Sequence, residues 1–196
     1  MFKQLAVLFG LMLIGAAVSG SDDNKAYAVK GAGIAPCSKF LDSVESGDKA
    51  YFVYGGWLEG YFTASNKYLP ETYDLIPWQS TQLMLKTVES VCKQSPDMTL
   101  NSVVQMLVGN LAPQRIAMGT KFVRLGEGYG NVFQEEVVVR IKKALTDKGF
   151  YSGELSADYT DSVKTALRNF QKSVNQAETG VPNQATLFLL FRPTAQ

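Results

Sequence analysis

The last third of the chain admits few folds. Between residues 135 and 191, three segments with helical apolar spacing are separated by two turns built from residues that interrupt helices. The first segment carries Val137, Ile141 and Leu145. The second carries Val163, Ala166, Leu167 and Phe170, and the third Leu187 and Leu190. Recurrence at three- and four-residue steps puts each set on one side of a helix, so each segment can turn an apolar face inward. Gly149-Phe150-Tyr151-Ser152-Gly153 separates the first from the second, and Thr179-Gly180-Val181-Pro182-Asn183 the second from the third. Pro182 closes that turn, and Asn183 is placed to cap the helix after it.

This order of helix, Gly-Phe-Tyr-Ser-Gly turn, helix ending in Phe170-Gln171, Thr-Gly-Val turn and Asn-x-x-Thr-Leu helix resembles the non-catalytic peptidoglycan-binding domain that bacteria append to cell-wall proteins. The resemblance implies a three-helix fold over residues 135–193, with peptidoglycan as partner. It further implies a groove formed by Tyr151, Ser152 and Gly153 of the first turn, Tyr159 and Thr160 at the start of the second helix, and the neighbouring Arg168. Tyr151 would lie on a sugar or stem-peptide surface. Phe150 and Tyr159 read better as core residues closing a small bundle. The chain also departs from the family pattern. Where an Asp-Gly pair is usual it has Ser156-Ala157, followed by Thr160 and Val163, and those positions shape the turn beside the second helix.

The other end bears on compartment. Lys3 precedes an apolar run over residues 5–18, and Ala26-Tyr27-Ala28 offers a cleavage site before Val29, so residues 1–28 read as a signal peptide. The run is shorter than the roughly 20 residues of a membrane span. It is interrupted by Gly10 and Gly15 and followed by Asp22-Asp23. The expectation is export to the periplasm of a Gram-negative bacterium, with no membrane association after cleavage. With 19 Lys and Arg against 18 Asp and Glu, the net charge is +1. Such a balance argues against nucleic acid as a partner, which would favour a basic stripe.

Residues 36–112 read as a helical domain. In an exported chain, two and only two cysteines, Cys37 and Cys92, are best read as one disulfide. The competing reading, two free thiols in redox work, lacks a Cys-x-x-Cys spacing. Four helices are expected. One opens at Cys37 with Phe40, Leu41 and Val44. A second runs through Tyr54, Leu58, Tyr61 and Tyr68, apolar most of the way round and therefore central. A third starts at Pro77 and Trp78 and ends at Cys92, and a fourth follows a Thr99 cap with Val103, Val104, Leu107 and Leu111. Glu59 falls beside the apolar seam of the second helix, and removing a carboxylate from water disfavours its charged form, so it is a candidate pH-sensitive group. Residues 113–134, rich in glycine and without helical period, read as a linker with one extended stretch at 121–125. The fold class expected is mainly α: a disulfide-stapled four-helix N-terminal domain and a three-helix C-terminal one.

The cysteine pair, the helix pattern, Trp57-Leu58-x-Gly60-Tyr61 and Pro77-Trp78-Gln79-Ser80-Thr81 are together similar to the periplasmic acid-stress chaperones (HdeA-like) and to small secreted immunity-type proteins. That similarity implies a protein client or a toxin as partner. Catalysis is judged by subtraction. The chain has no His, which removes Ser-His-Asp and Cys-His nucleophile systems and most catalytic zinc sites. Its carboxylates are scattered: Glu135 and Glu136 diverge on a helix, and Asp158 and Asp161 sit where they cap or complement a helix dipole. A non-enzyme without metal or cofactor is expected. Two functions stay open, a wall-associated binding protein and a client-binding chaperone or inhibitor.

Overall fold

The computed structural model describes residues 21–24, 26–127 and 131–192. The apolar run that suggests a signal peptide lies outside them. Among the described residues the chain forms helices α1 (Cys37–Ser46), α2 (Ala50–Tyr68), α3 (Thr81–Gln94) and α4 (Leu100–Leu111), strands β1 (Phe122–Arg124) and β2 (Val132–Gln134), then helices α5 (Glu135–Asp147), α6 (Asp161–Ser173) and α7 (Gln184–Leu190). No helix among them is long and apolar enough to cross a membrane.

The first core gathers the inward faces of α1 to α4. Phe40, Leu58, Leu75, Val88, Leu100 and Val104 are buried in it. Local chemistry sets the helix limits. Gly47 adopts a left-handed conformation (φ 62°) that ends α1, its N–H bonded to the Ser43 carbonyl. Ser80 caps α3 by accepting the Leu83 N–H, and Thr99 caps α4 by accepting the Ser102 N–H, each at 3.2 Å. A 3-10 turn at Gly31–Ile34 lies against Trp57, whose indole N–H donates to the Lys30 carbonyl at 2.9 Å. Gly33 permits this approach, because a Cβ there would stand 2.2 Å from the Trp57 ring.

Cys37 and Cys92 are disulfide-bonded, with Cα atoms 5.0 Å apart and both residues fully buried. The expected stapled four-helix domain is corrected here. Cys37 opens α1 and Cys92 lies near the end of α3, so the closed loop contains three helices, α1 to α3. Helix α4 begins beyond Cys92, outside the loop. It is held to the same core by Leu100, Val103, Val104 and Leu107, and by a bridge in which Cys37 N–H donates to the Met98 carbonyl and Leu100 N–H to the Ala35 carbonyl.

Three further expectations are revised. Pro77 and Trp78 precede α3 rather than starting it, because Ser80 supplies the cap that fixes the first turn. Helix α2 is not covered on all sides: Phe52 and Val53 are exposed, since α1, α3 and α4 occupy only its other faces. Glu59 is exposed on α2 and accepts a hydrogen bond from the Thr81 hydroxyl at 2.5 Å, so it is not in a buried seam.

Residues 113–134 carry two short strands in their described part. Strands β1 and β2 pair antiparallel with Val123 opposite Phe133, and Ile116, Leu125 and Phe133 are buried in the second core. That core is completed by Val137, Ile141 and Leu145 of α5, Val163, Leu167 and Phe170 of α6, and Leu187 and Leu190 of α7. The two cores are joined by main chain. Ile116 N–H donates to the Asp74 carbonyl, and the Ile116 carbonyl accepts from Asp74 and Tyr73 N–H, at 2.8 to 3.1 Å. Leu75, next along the chain from Asp74, is buried in the first core.

Two outcomes are expected. Replacing both cysteines by alanine should lower unfolding free energy by about 4 kcal/mol on the chain-entropy model for a loop of this length. Urea titration measures it, and a loss below about 1 kcal/mol would contradict a stapling role. Partial burial holds the Asp74 carboxyl above its ordinary pKa, opposed by the Ile76 N–H that it accepts. A raised folded-state pKa favours folding in acid and costs stability as pH rises through it. Asp74→Asn should therefore be more stable than the parent at neutral pH, with the difference closing at about pH 3. Thermal melts across that range test the sign, and a variant equally destabilised at every pH would refute it.

Candidate functional site

The second turn of the C-terminal unit is built around one buried amide. Gln171, in the last turn of α6, is fully buried. Its Nε2 donates to the Val181 carbonyl at 2.9 Å and to the hydroxyls of Thr179 and Thr186 at 3.1 Å, while its Oε1 accepts the Gly180 N–H at 2.8 Å. A buried polar group is costly unless paired, so this side chain fixes the turn and the start of α7 together. Asn183 then caps α7 by accepting the Thr186 N–H at 2.9 Å.

Gly180 is the point of closest approach. Its φ of 71° is left-handed, and a Cβ would stand 3.0 Å from the Lys164 carbonyl oxygen and 3.2 Å from Arg168 Nε. The Tyr159 hydroxyl donates to the Gly180 carbonyl. Burial pushes this phenol up to about 12, with the Arg168 charge pulling it the other way, so Tyr159 keeps its proton at neutral pH and remains a donor. Lys164 lies over the Tyr159 ring, 5.7 Å from its centroid. Tyr159, Lys164 and Arg168 thus converge on one glycine.

The first turn has a different anchor. Lys142 of α5 is buried, and its ammonium donates to the Ser156 hydroxyl at 3.0 Å and the Glu154 carbonyl at 3.3 Å. It also stands over the Tyr151 ring at 5.9 Å, and the Tyr151 hydroxyl donates to the Glu154 carbonyl. Ser156, where the family resemblance leads one to expect Asp, therefore gives the buried cation a hydroxyl in place of a carboxylate. Ser156 in turn donates to the Asp158 carboxylate at 3.3 Å.

The candidate groove residues fall into two clusters. Tyr151 is half-buried beside Lys142, with Ser152 and Gly153 exposed on the same turn. Tyr159 is half-buried and Arg168 exposed around Gly180. Thr160 precedes α6, where its hydroxyl meets that of Ser162 rather than a backbone N–H. Sequence reasoning missed Gln171 and Lys142 as the organising side chains. The one available signal was that Gln171 directly follows Phe170 ahead of a Gly-containing turn. No cluster of His, Cys, Asp or Glu that could hold a metal ion occurs among the described residues.

Residues 134–190 match the protein family described as "Putative peptidoglycan binding domain". The C-terminal unit is a peptidoglycan-binding-like module. The matched segment runs from the residue before α5 to the last residue of α7, so it coincides with the three helices and the two turns just described. It spans less than a third of the chain. Searches of curated proteins and of solved structures return no match.

Gln171→Leu strips the module's second turn of its partners and should cost about 3 kcal/mol, because several buried groups are left unpaired. Tyr159→Phe, which frees only the Gly180 carbonyl, should cost about 1 kcal/mol. Chemical denaturation of both variants checks the ranking, and a Gln171 variant as stable as the parent would contradict it.

Proposed function

We propose that this is an exported, non-catalytic periplasmic protein that associates with peptidoglycan through residues 134–190 and presents its N-terminal helices to a protein partner. The observation that carries this reading is the family match falling on a unit whose two turns are each pinned by a buried side chain, Lys142 and Gln171. Turns fixed in this way hold Tyr151 and Tyr159 in place before any ligand arrives, which lowers the ordering cost of binding. Tyr151, Ser152, Gly153, Thr160 and Arg168 supply the polymer contacts in this reading, while Tyr159 shapes the groove from below. The absence of His from the sequence and the scatter of its carboxylates support a binding role over a hydrolytic one.

A second reading gives the N-terminal helices a client of their own, as in acid-stress chaperones or immunity-type inhibitors. The exposed pair Phe52 and Val53 on α2, flanked by the open recess between α2 and α3, favours it. Glu59 stands exposed at that recess and lends no support to an acid trigger.

Sedimentation with purified insoluble sacculi tests the principal reading. The intact protein should pellet with sacculi and stay in solution without them. Tyr151→Ala should weaken retention about fivefold, equivalent to about 1 kcal/mol of lost aromatic contact. Parent protein that remains in the supernatant would overturn the reading.

A further inference from the structure

A cleft of about 490 Å³ opens where the module meets the N-terminal helices, away from the turns discussed above. Trp78 and Gln114 line it from one side, and Lys148, Phe191 and Arg192 from the module. Its volume lies within the range of about 300–1,000 Å³ usual for small ligands, which suits a short extended peptide better than the face of a folded partner.

The walls are fixed from both sides. Gln184 of α7 donates to the Trp78 carbonyl and accepts the Ser80 N–H, clamping the segment that carries Trp78. Arg140 of α5 donates to the carbonyls of Gln114 and Arg115 while paired with Glu136. Trp78 and Phe191 pack ring to ring, with centroids 5.1 Å apart and planes inclined at 43°.

The charges are not all used in this framework. Arg140 is taken up by Glu136 and the two carbonyls, and Lys143 is paired with Asp147 at 2.8 Å. Lys148 and Arg192 have no carboxylate partner among the described residues. The Lys148 ammonium donates to the Arg192 carbonyl at 3.0 Å, and the Arg192 guanidinium lies over the Phe188 ring at 4.5 Å. Both retain donors for an anion. Beyond the Trp78–Phe191 pair, a smaller groove of about 240 Å³ lined by Leu83, Met84, Leu107 and Leu111 continues the cleft with apolar surface. Two unneutralised cations, an aromatic floor and an adjoining apolar groove call for a ligand with carboxylates and small apolar groups. A neutral glycan would leave the cations unmatched, and two cations are too few for a nucleic acid backbone.

We propose that this cleft binds the carboxylate-bearing peptide arm of peptidoglycan, with Lys148 and Arg192 taking the carboxylates and the Trp78–Phe191 pair supporting the methyl-bearing backbone. The assignment rests on the wall-binding reading and extends it, because the peptide site needs residues from both units and, of its four named residues, the matched segment contains only Lys148.

The test uses the full chain and a synthetic stem tetrapeptide with free carboxylates, followed by isothermal titration calorimetry. The parent should bind. Lys148→Glu with Arg192→Glu should weaken binding at least about tenfold, since a rim of opposite charge becomes repulsive. The milder pair Lys148→Gln and Arg192→Gln should lose an intermediate amount, and raised salt should weaken the parent. Lys172→Glu, a charge reversal on α6 outside the cleft, should change nothing. Near-ultraviolet circular dichroism establishes that the variants are folded. A charge-reversed pair that binds the tetrapeptide as tightly as the parent would overturn the proposal. An unrelated acidic peptide of equal charge binding equally well would overturn the assignment to wall peptide. If the parent pellets with sacculi and the charge-reversed pair does so undiminished with unchanged peptide affinity, the cleft assignment fails and the wall-binding reading stands. If the parent neither pellets nor binds the peptide, both fall.

Discussion

The main-chain bridge between Asp74 and Ile116 is the contact on which the arrangement of the molecule depends. Leu75 carries the chain from this bridge into the first core, and Ile116 is itself part of the second, so a pair of ordinary backbone hydrogen bonds ties two hydrophobic interiors together. Side chains reinforce it from both directions. Arg115 donates to the Glu71 and Ala112 carbonyls, Arg140 reaches back from α5 to the carbonyls of 114 and 115, and Gln184 reaches from α7 to residues 78 and 80. Backbone carbonyls are the chief acceptors of these clamps. Such contacts constrain main-chain position more than side-chain identity, and they hold residues 114–116 although the sequence that follows is rich in glycine.

Function follows from the same economy of buried polar groups. A three-helix unit of this size has few apolar residues to spare, and its two turns carry the exposed side chains suited to a ligand. Gln171 and Lys142 solve that problem by spending one buried side chain on each turn. Ser156 and the Glu154 carbonyl leave the buried ammonium beside Tyr151 held by neutral oxygens. The proposed peptide site extends beyond the module. Trp78, ahead of α3, lines a cleft together with Lys148 just after α5 and Arg192 just after α7, so that cleft draws on both units.

Much of the architecture was legible in the sequence because it rests on local rules. The apolar faces of α5, α6 and α7, the Asn183 and Thr99 caps and the Cys37–Cys92 pairing each follow from spacing, cap chemistry or cysteine count, and the structure has them. What escaped depends on partners distant in sequence. Gln171 and Lys142 look like solvent-facing residues on amphipathic helices, and only the folded turns give them acceptors. Ile116 is followed by Ala117 and Met118, with no helical or strand periodicity to mark it as core. Trp78 reads as a helix start after Pro77, whereas Ser80 offers the better cap and releases Trp78 to pack on Phe191. Glu59 shows the converse error. Its apolar neighbours suggested burial, but Gly56 and Gly60 on the same stretch of α2 have open space beside them, and the carboxylate faces solvent.

Through the bridge at Asp74 and Ile116 the stapled helices and the module form one mechanical body. Equilibrium urea unfolding of the oxidised full chain tests it most directly, followed in parallel by tryptophan fluorescence, which reports Trp57 and Trp78, and by resolved methyl NMR signals of Leu167 and Leu187 in the module. Coincident transitions with one midpoint are predicted, as expected of a single cooperative unit. Separate midpoints, with module signals persisting native after the N-terminal helices have unfolded, would contradict it.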